Sequence, residues 1–361
     1  MLMSAAHRLA AGAALAVSLM LAACATPGGT TPSPVAGVHF RTVQTNGIHL
    51  RVAEAGDPKA PLVVLVHGWP ESWYSWRHQM PAIAAAGYHV IAPDMRGYGA
   101  SDKPAAVEDY DILHTSGDLV GLLDAMGAKK ATIIGHDWGA IVTWNTVLLH
   151  PDRFNAMIAM SVPNGGRAAA APLAGMRAAN GDNFYYILYH QEAGGVAEKE
   201  YDSDPRGILS RLYTSKDTPV DPPVVTDPKR SAGGWIPRLG KPKQLPTWLT
   251  QADLDYFVSQ FQQAGFRGGV NYYRNFDRNW EITPQLTGAR IKVPVAFIAG
   301  EDDIVIRGAK EPALRAQMTR VADDLRKVQL VPGAGHWVQQ EKPEAVNSFI
   351  LDFLKTAAPA K

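Results

Sequence analysis

A single cysteine, Cys24, stands among 361 residues, which excludes an internal disulfide framework and any cysteine-rich metal site. A charge excess is also lacking. Lysine and arginine number 35 against 34 aspartate and glutamate, and Arg8 is the only charged side chain before Cys24, so the rest is formally neutral. A protein that lived on phosphate contacts would show a basic excess or stripe, so nucleic acid is not an expected partner. No fixed-period repeat or long low-complexity tract occurs, which argues against solenoids and propellers. Gly-x-Ser-x-Gly is missing throughout, so a serine esterase would lack its nucleophile. What is present suits a large core: 46% of residues are hydrophobic, 9% aromatic and 19% charged. The length allows one large α/β domain, or one domain carrying an inserted module.

The amino terminus reads as an address. Met1 to Arg8 is weakly positive, and Leu9 to Ala23 is an uncharged apolar stretch of fifteen residues, short for a bilayer span. It ends in Leu21-Ala22-Ala23-Cys24, which resembles the lipobox of bacterial lipoproteins. That resemblance implies a signal peptide over residues 1–23, cut before Cys24, and a lipidated thiol at Cys24. Residues 24–37 are rich in Pro, Gly, Ser and Thr and read as a tether. Ala25 rather than Asp follows the cysteine, which in a cell with an outer membrane implies sorting to that membrane. The expected location is the cell envelope, where ATP and NAD(P)H are not supplied and a cofactor-free hydrolase is at home. An ordinary signal peptide would instead leave the protein secreted or periplasmic.

Beyond the tether, strands and helices alternate. Val38 to Glu54 reads as a hairpin turning near Asn46-Gly47. Leu62 to Val66 (LVVLV) is apolar throughout, as a strand buried on both faces should be. A helix over about Trp73 to Ala86, a strand over Tyr88 to Ala92, a helix over Ile112 to Met126 and a strand over Ala131 to Ile134 follow. A helix from Gly139 to Leu149 and a strand from Ala156 to Ser161 continue the pattern. It resumes with strands at Val293 to Ala299 and Lys327 to Val331 and a helix over Pro343 to Thr356. This is the βαβ order of a mostly parallel sheet with helices on both faces. Residues 38–161 and 286–361 are expected to form that core. Between them, residues 162–285 read as an inserted helical lid. Helical stretches are expected near Phe184 to Gln191, Ile208 to Thr214, Gln251 to Ala264 and Val270 to Trp280, with a capping box at Thr250 to Asp253. A loop with seven prolines runs from Lys216 to Pro246.

Gly135-His136-Asp137-Trp138-Gly139 falls between a buried strand and a helix, where its outer glycines allow a sharp turn that exposes a nucleophile. The expected nucleophile is Asp137, where the usual elbow carries Ser. A carboxylate suits displacement at a saturated carbon, because the alkyl ester it forms can later be cleaved by water at the carbonyl. His67-Gly68-Trp69-Pro70 follows the LVVLV strand, so the Trp69 and Trp138 amides are the expected oxyanion hole, and His67 itself is expected to be structural. His136 reads as a packed elbow residue. Glu301-Asp302-Asp303 and Gly335-His336-Trp337 follow the last two strands, giving the order nucleophile, acid, histidine. His336 is the expected base for water; spacing does not choose between Asp302 and Asp303 as its carboxylate partner.

From about Val38 to Leu354 the chain resembles the epoxide hydrolases of the α/β-hydrolase fold. The resemblance rests on HGWPESWYSWRHQMPAIAAAGYHVIAPDMRGYGASDKP, GHDWG, YYILYHQEAG, FRGGVNYYRN and GHWVQQEKP. It aligns the acid with Asp303 and implies two lid tyrosines, Tyr186 and Tyr273, that bind the epoxide oxygen and protonate it on opening. It implies a vicinal diol as product and no metal or organic cofactor. Candidate mouth tryptophans (Trp69, Trp73, Trp138, Trp235 and Trp337) favour a small apolar or aromatic epoxide. Haloalkane dehalogenases share GHDWG, and fluoroacetate dehalogenases resemble the HGWP region. The former usually carry Asn where Trp69 stands, and the latter carry arginines around the elbow where this chain has Trp138 and Val142. A lipid-anchored binding protein that lost catalysis is the other alternative. The lid, individual to this chain at Gly165 to Asn183 and Lys216 to Pro246, leaves substrate size, enantiopreference and oligomeric state open.

Overall fold

The computed structural model describes residues 33–360; the Cys24 lipobox lies outside them. Asn46 and Gly47 both take positive φ, 47° and 80°. This two-residue turn lets β1 (His39–Thr45) pair antiparallel with β2 (Ile48–Ala55). Strands β3 (Leu62–Val66), β4 (His89–Pro93), β5 (Ala131–His136), β6 (Phe154–Met160), β7 (Ile291–Gly300) and β8 (Ala322–Val331) complete one sheet. Its order is β1-β2-β4-β3-β5-β6-β7-β8, and β2 is the one strand antiparallel to its neighbours. The central strands β3 and β5 are buried along their whole length, which is why LVVLV and ATIIGH show no polar alternation.

Helices α1 (Gln79–Ala85), α2 (Ile112–Ala125) and α3 (Trp138–Leu149) belong to the first half of the sheet. Asp111 starts α2 by accepting from the amides of Leu113 and His114. Between β6 and β7 come α4 (Pro172–Asn180), α5 (Tyr186–Tyr189), α6 (Val196–Ser203), α7 (Pro205–Leu212), α8 (Gln251–Ala264), α9 (Arg267–Arg274) and α10 (Phe276–Glu281). Thr250 and Asp253 close the capping box of α8 in both directions. The second half of the core adds α11 (Glu311–Met318), α12 (Val338–Glu341) and α13 (Pro343–Ala357). The proline-studded loop is tied down by bridges pairing Asn183 with Lys229 and Val220 with Pro242.

Several elements differ from the sequence reading for identifiable reasons. The helix expected over Trp73 to Ala86 is a 3₁₀ turn (Trp73–Trp76) followed by α1. Starting at Gln79 keeps Pro81 in the first turn, where its missing N–H costs nothing. The helix expected over Val270 to Trp280 breaks at Asn275, whose side chain donates to the carbonyls of Val107 (2.7 Å) and Asn271 (2.9 Å). β8 begins at Ala322 rather than Lys327. It is an edge strand, half-exposed, so its charged residues hide the strand period. Helices α4, α6, α11 and α12 have no counterpart in the sequence reading, because each is too short to show an apolar period.

Candidate active site

β5 ends at His136 and α3 begins at Trp138, so Asp137 alone turns the chain, at φ 54° and ψ −120°. That region is costly for a residue with a Cβ and persists only where its surroundings enforce it. The flanking glycines enforce it by close approach rather than by positive φ. A Cβ on Gly135 would sit 2.2 Å from the Gly139 carbonyl oxygen, and one on Gly139 would sit 2.0 Å from that of Val66. Across the site, a Cβ on Gly68 would meet Asp137 Oδ1 at 2.5 Å, so this glycine lets the β3 loop reach the carboxylate.

The Trp69 amide donates to Asp137 Oδ1 at 2.8 Å. The Trp138 amide opens α3, a position whose N–H has no acceptor within its own helix. On the other side, His336 Nε2 lies 3.5 Å from Asp137 Oδ2, and His336 Nδ1 lies 3.0 Å from Asp303 Oδ1. Asp303 is only 1% exposed and also accepts from the Val305 amide at 2.9 Å. Asp302 instead meets Lys216 at the surface, 3.0 Å away, so only Asp303 faces the histidine. Burial disfavours charge on both partners, but the attraction between them outweighs it. The His336 pKa stands well above the ordinary imidazole value, lifted by Asp303 and Asp137, and that of Asp303 lies below its ordinary value.

Tyr186 opens α5 and Tyr273 lies in the last turn of α9, with ring centroids 5.9 Å apart. Gln191 links their segments, its side-chain amide donating to the carbonyls of Ile187 (3.0 Å) and Tyr273 (2.9 Å). Arg274 adds a second tie, donating to the His190 carbonyl (2.9 Å) and in a fork to Glu198 (2.8 Å to each oxygen). Burial, and then the nearby Asp137 carboxylate among other groups, hold both phenols above the ordinary tyrosine pKa. They are therefore protonated through the neutral range. Tyr272 is engaged elsewhere, donating to the Arg96 carbonyl at 3.1 Å. Of the mouth tryptophans, Trp69 and Trp138 pack against Tyr273 and Trp235 against Tyr186. Trp337 packs on His336. Trp73 does not join them; fully buried, it donates to Tyr256 at 2.8 Å and packs with Phe40 and Tyr74.

One functional group escaped the sequence reading. Glu71, fully buried, accepts from the Gly68 amide (2.8 Å) and Gln339 (2.9 Å) and meets His136 Nδ1 at 2.7 Å. His136 Nε2 in turn lies 2.8 Å from the His336 carbonyl. Burial would raise the Glu71 pKa, but His136 outweighs it and holds the group down at about 2. His136 is thus more than packing: with Glu71 it ties the oxyanion loop, the elbow and the histidine loop together. The only signal in the sequence is a carboxylate directly after Trp69-Pro70. His67 is structural as expected, buried, with Nε2 accepting from the Met95 amide at 3.0 Å.

A family model described as alpha/beta hydrolase fold matches residues 61–194. Epoxide hydrolase A of Mycobacterium tuberculosis is 49% identical over 87% of this chain and 96% of its own length. The chain belongs to the epoxide hydrolases of the α/β-hydrolase fold. Epoxide hydrolase 3 of Siraitia grosvenorii is 41% identical, over 87% of this chain and 97% of its own. Among solved structures, Epoxide Hydrolase A from Mycobacterium thermoresistibile superposes on this epoxide hydrolase with a TM-score of 0.80. Its identity is 48%, with coverage of 88% of this chain and 98% of that one.

Proposed function

We propose that this epoxide hydrolase opens its substrate by attack of Asp137, with Tyr186 and Tyr273 as the acids. The observation that carries this reading is a carboxylate at the elbow with two buried phenols close by. Tyr273 packs edge-on against Trp69 and Trp138, the residues whose amides flank Asp137, and the Tyr186 ring lies 5.9 Å from it. Burial and the nearby carboxylate keep both phenols protonated. Opening an epoxide makes an alkoxide and needs a proton donor; displacing a halide does not. Asp137 Oδ1 is engaged by the Trp69 amide, so Oδ2 is the attacking oxygen. Its bond to an epoxide carbon forms as the carbon–oxygen bond of the ring breaks, and the freed oxygen takes a phenolic proton.

Alkylation converts Asp137 from an anion to a neutral ester. His336 then loses one of the two carboxylates that hold its proton, its pKa falls, its proton returns to the phenolate left by ring opening, and the neutral imidazole can take a proton from water. Hydroxide adds to the Asp137 carbonyl carbon, and the Trp69 and Trp138 amides hold the charge on Oδ1. Collapse releases Oδ2 with the diol and leaves a carboxylate containing one oxygen from water. A single turnover in oxygen-18 water should therefore give unlabelled diol and put the label on the Asp137 peptide. Label in the first diol would mean direct attack by water and would refute the covalent route.

Trp69, Trp138 and Trp235 around the phenols favour a small apolar or aromatic epoxide. The Cys24 lipobox supports a lipid anchor in the cell envelope. Cys24→Ala should move the activity from the membrane fraction to the soluble fraction; an unchanged distribution would rule the anchor out.

A further inference from the structure

The loop from Lys216 to Pro246 holds little regular structure, yet it delivers one aromatic side chain to the proton donors. The Trp235 indole lies parallel to the Tyr186 ring, with centroids 4.6 Å apart and planes 15° apart. It also lies parallel to the Trp69 indole, at 5.7 Å and 10°. The other ring neighbours of Tyr186 (Tyr185, His190 and Tyr273) meet it edge to face, at 5.4, 5.7 and 5.9 Å. Among the described residues, Trp235 is thus the one aromatic group lying flat against this phenol. Trp69 is also the residue whose amide engages Asp137 Oδ1, so the stack runs from the proton donor in the lid to the loop that holds the nucleophile.

Trp235 is itself fixed. The Glu200 carboxylate, on α6, accepts the Trp235 amide at 2.9 Å on one oxygen and the Ile236 amide at 3.0 Å on the other. Such a two-oxygen grip on consecutive amides is strong and directional. Gly234 makes room for it, because a Cβ there would stand 2.2 Å from Glu200 Oε1. A loop stabilised only by its own packing would need neither feature.

We infer that Trp235, clamped by Glu200, is a positioning residue that fixes the Tyr186 phenol relative to Asp137 for ring opening. The inference rests on the reading of Tyr186 as a proton donor. An unheld phenol would sample orientations away from the epoxide oxygen, and misplacement by about 1 Å can cost about a hundredfold in rate. The hydrolytic half of the cycle, which uses His336 and water, would not feel the change.

The test times alkylation alone. In protein carrying His336→Gln the ester should persist, and intact-protein mass follows its formation from styrene oxide. Tyr186→Phe should slow alkylation by about a hundredfold, the lower end for a lost general acid. Trp235→Ala should slow it by about tenfold, and Trp235→Phe, which keeps a flat ring, by much less. With Tyr186→Phe already present, Trp235→Ala should cost less than about twofold, because its route of action is gone. Gly234→Ala should act like Trp235→Ala by displacing Glu200. Should Trp235→Ala lower the melting temperature, Trp235→Leu, which keeps apolar bulk and loses the stack, carries the same comparison. Equal losses with and without Tyr186, or no loss at all, would overturn the positioning role. A normal alkylation rate in Tyr186→Phe would instead refute the reading on which it rests.

Discussion

Replacing Asp303 by Asn separates the two halves of the proposed reaction. The change keeps the shape of the group 3.0 Å from His336 Nδ1 and removes its charge. Taking about 4 Å between charge centres and an effective dielectric constant of about 20, the lost attraction for an imidazolium is about 4 kcal/mol. Asp303 is 1% exposed, so solvent screens little of it. Hydrolysis of the alkyl-enzyme builds that imidazolium as water gives up its proton, so its rate should fall by about a thousandfold. Alkylation makes no new charge on His336 and should change by less than about tenfold. The assay is rapid mixing with excess epoxide followed by acid quench and intact mass. Wild-type protein should show a minor alkylated species, and Asp303→Asn a nearly complete one. Without Asp303 the His336 pKa should also drop, so the rise of hydrolysis with pH moves to lower pH. Alkylation and hydrolysis slowed to the same extent would refute the reasoning, since Asp303 would then be shaping the site rather than supporting a charge.

Asp137→Ala should abolish diol formation and leave no alkylated protein by mass, whereas residual turnover would point to another nucleophile. Gly139→Ala forces a Cβ to within 2.0 Å of the Val66 carbonyl oxygen. It should cost about 1–3 kcal/mol in urea unfolding, the usual cost of overpacking. Glu71→Gln tests the buried pair through pH. The folded-state pKa of Glu71 is depressed to about 2 from 4.5, so its stabilisation is full above about pH 4.5 and fades as pH falls towards 2. By linkage this amounts to about 3 kcal/mol. The Gln variant should be less stable near neutrality, and that deficit should shrink on acidification; a deficit independent of pH would refute the charge assignment.

The core of the fold was legible because a buried parallel strand has no freedom in its composition. β3 and β5 can be nothing but apolar, and the residues that follow them lie at one end of the sheet. The elbow was legible for a related reason: two glycines at fixed offsets leave little else that Gly135-His136-Asp137-Trp138-Gly139 could be. The choice of Asp303 over Asp302 was not fixed by spacing. It depends on which of two adjacent side chains faces His336, and Asp302 turns out to meet Lys216 in the lid. Edge strand β8 and the short lid helices were hidden by half-exposure, which blurs the apolar period that sequence reading depends on.

Glu71 and Trp235 were illegible in a different way. Each acts through partners far away in sequence: Glu71 through His136 and Gln339, and Trp235 through Tyr186, Trp69 and Glu200. No local pattern announces such contacts, because the residues around them are loops whose composition reflects turns and not function. The two also divide the work by stiffness. Asp137, His336 and Asp303, the proposed nucleophile, base and acid, follow strand ends, locked by the sheet and by the buried Glu71–His136 pair. The proposed proton donors sit on the lid, which meets the core through individual side-chain contacts such as Tyr272 with the Arg96 carbonyl and Asn275 with that of Val107, not through strand pairing. Ring opening needs the donors and Asp137 aligned at the same instant, whereas ester hydrolysis needs only the rigid half. Variation in the Lys216–Pro246 loop should therefore alter which epoxide is opened, and how fast, before it alters how the ester is cleaved. A set of loop variants in which hydrolysis rates scatter as widely as alkylation rates would contradict that division.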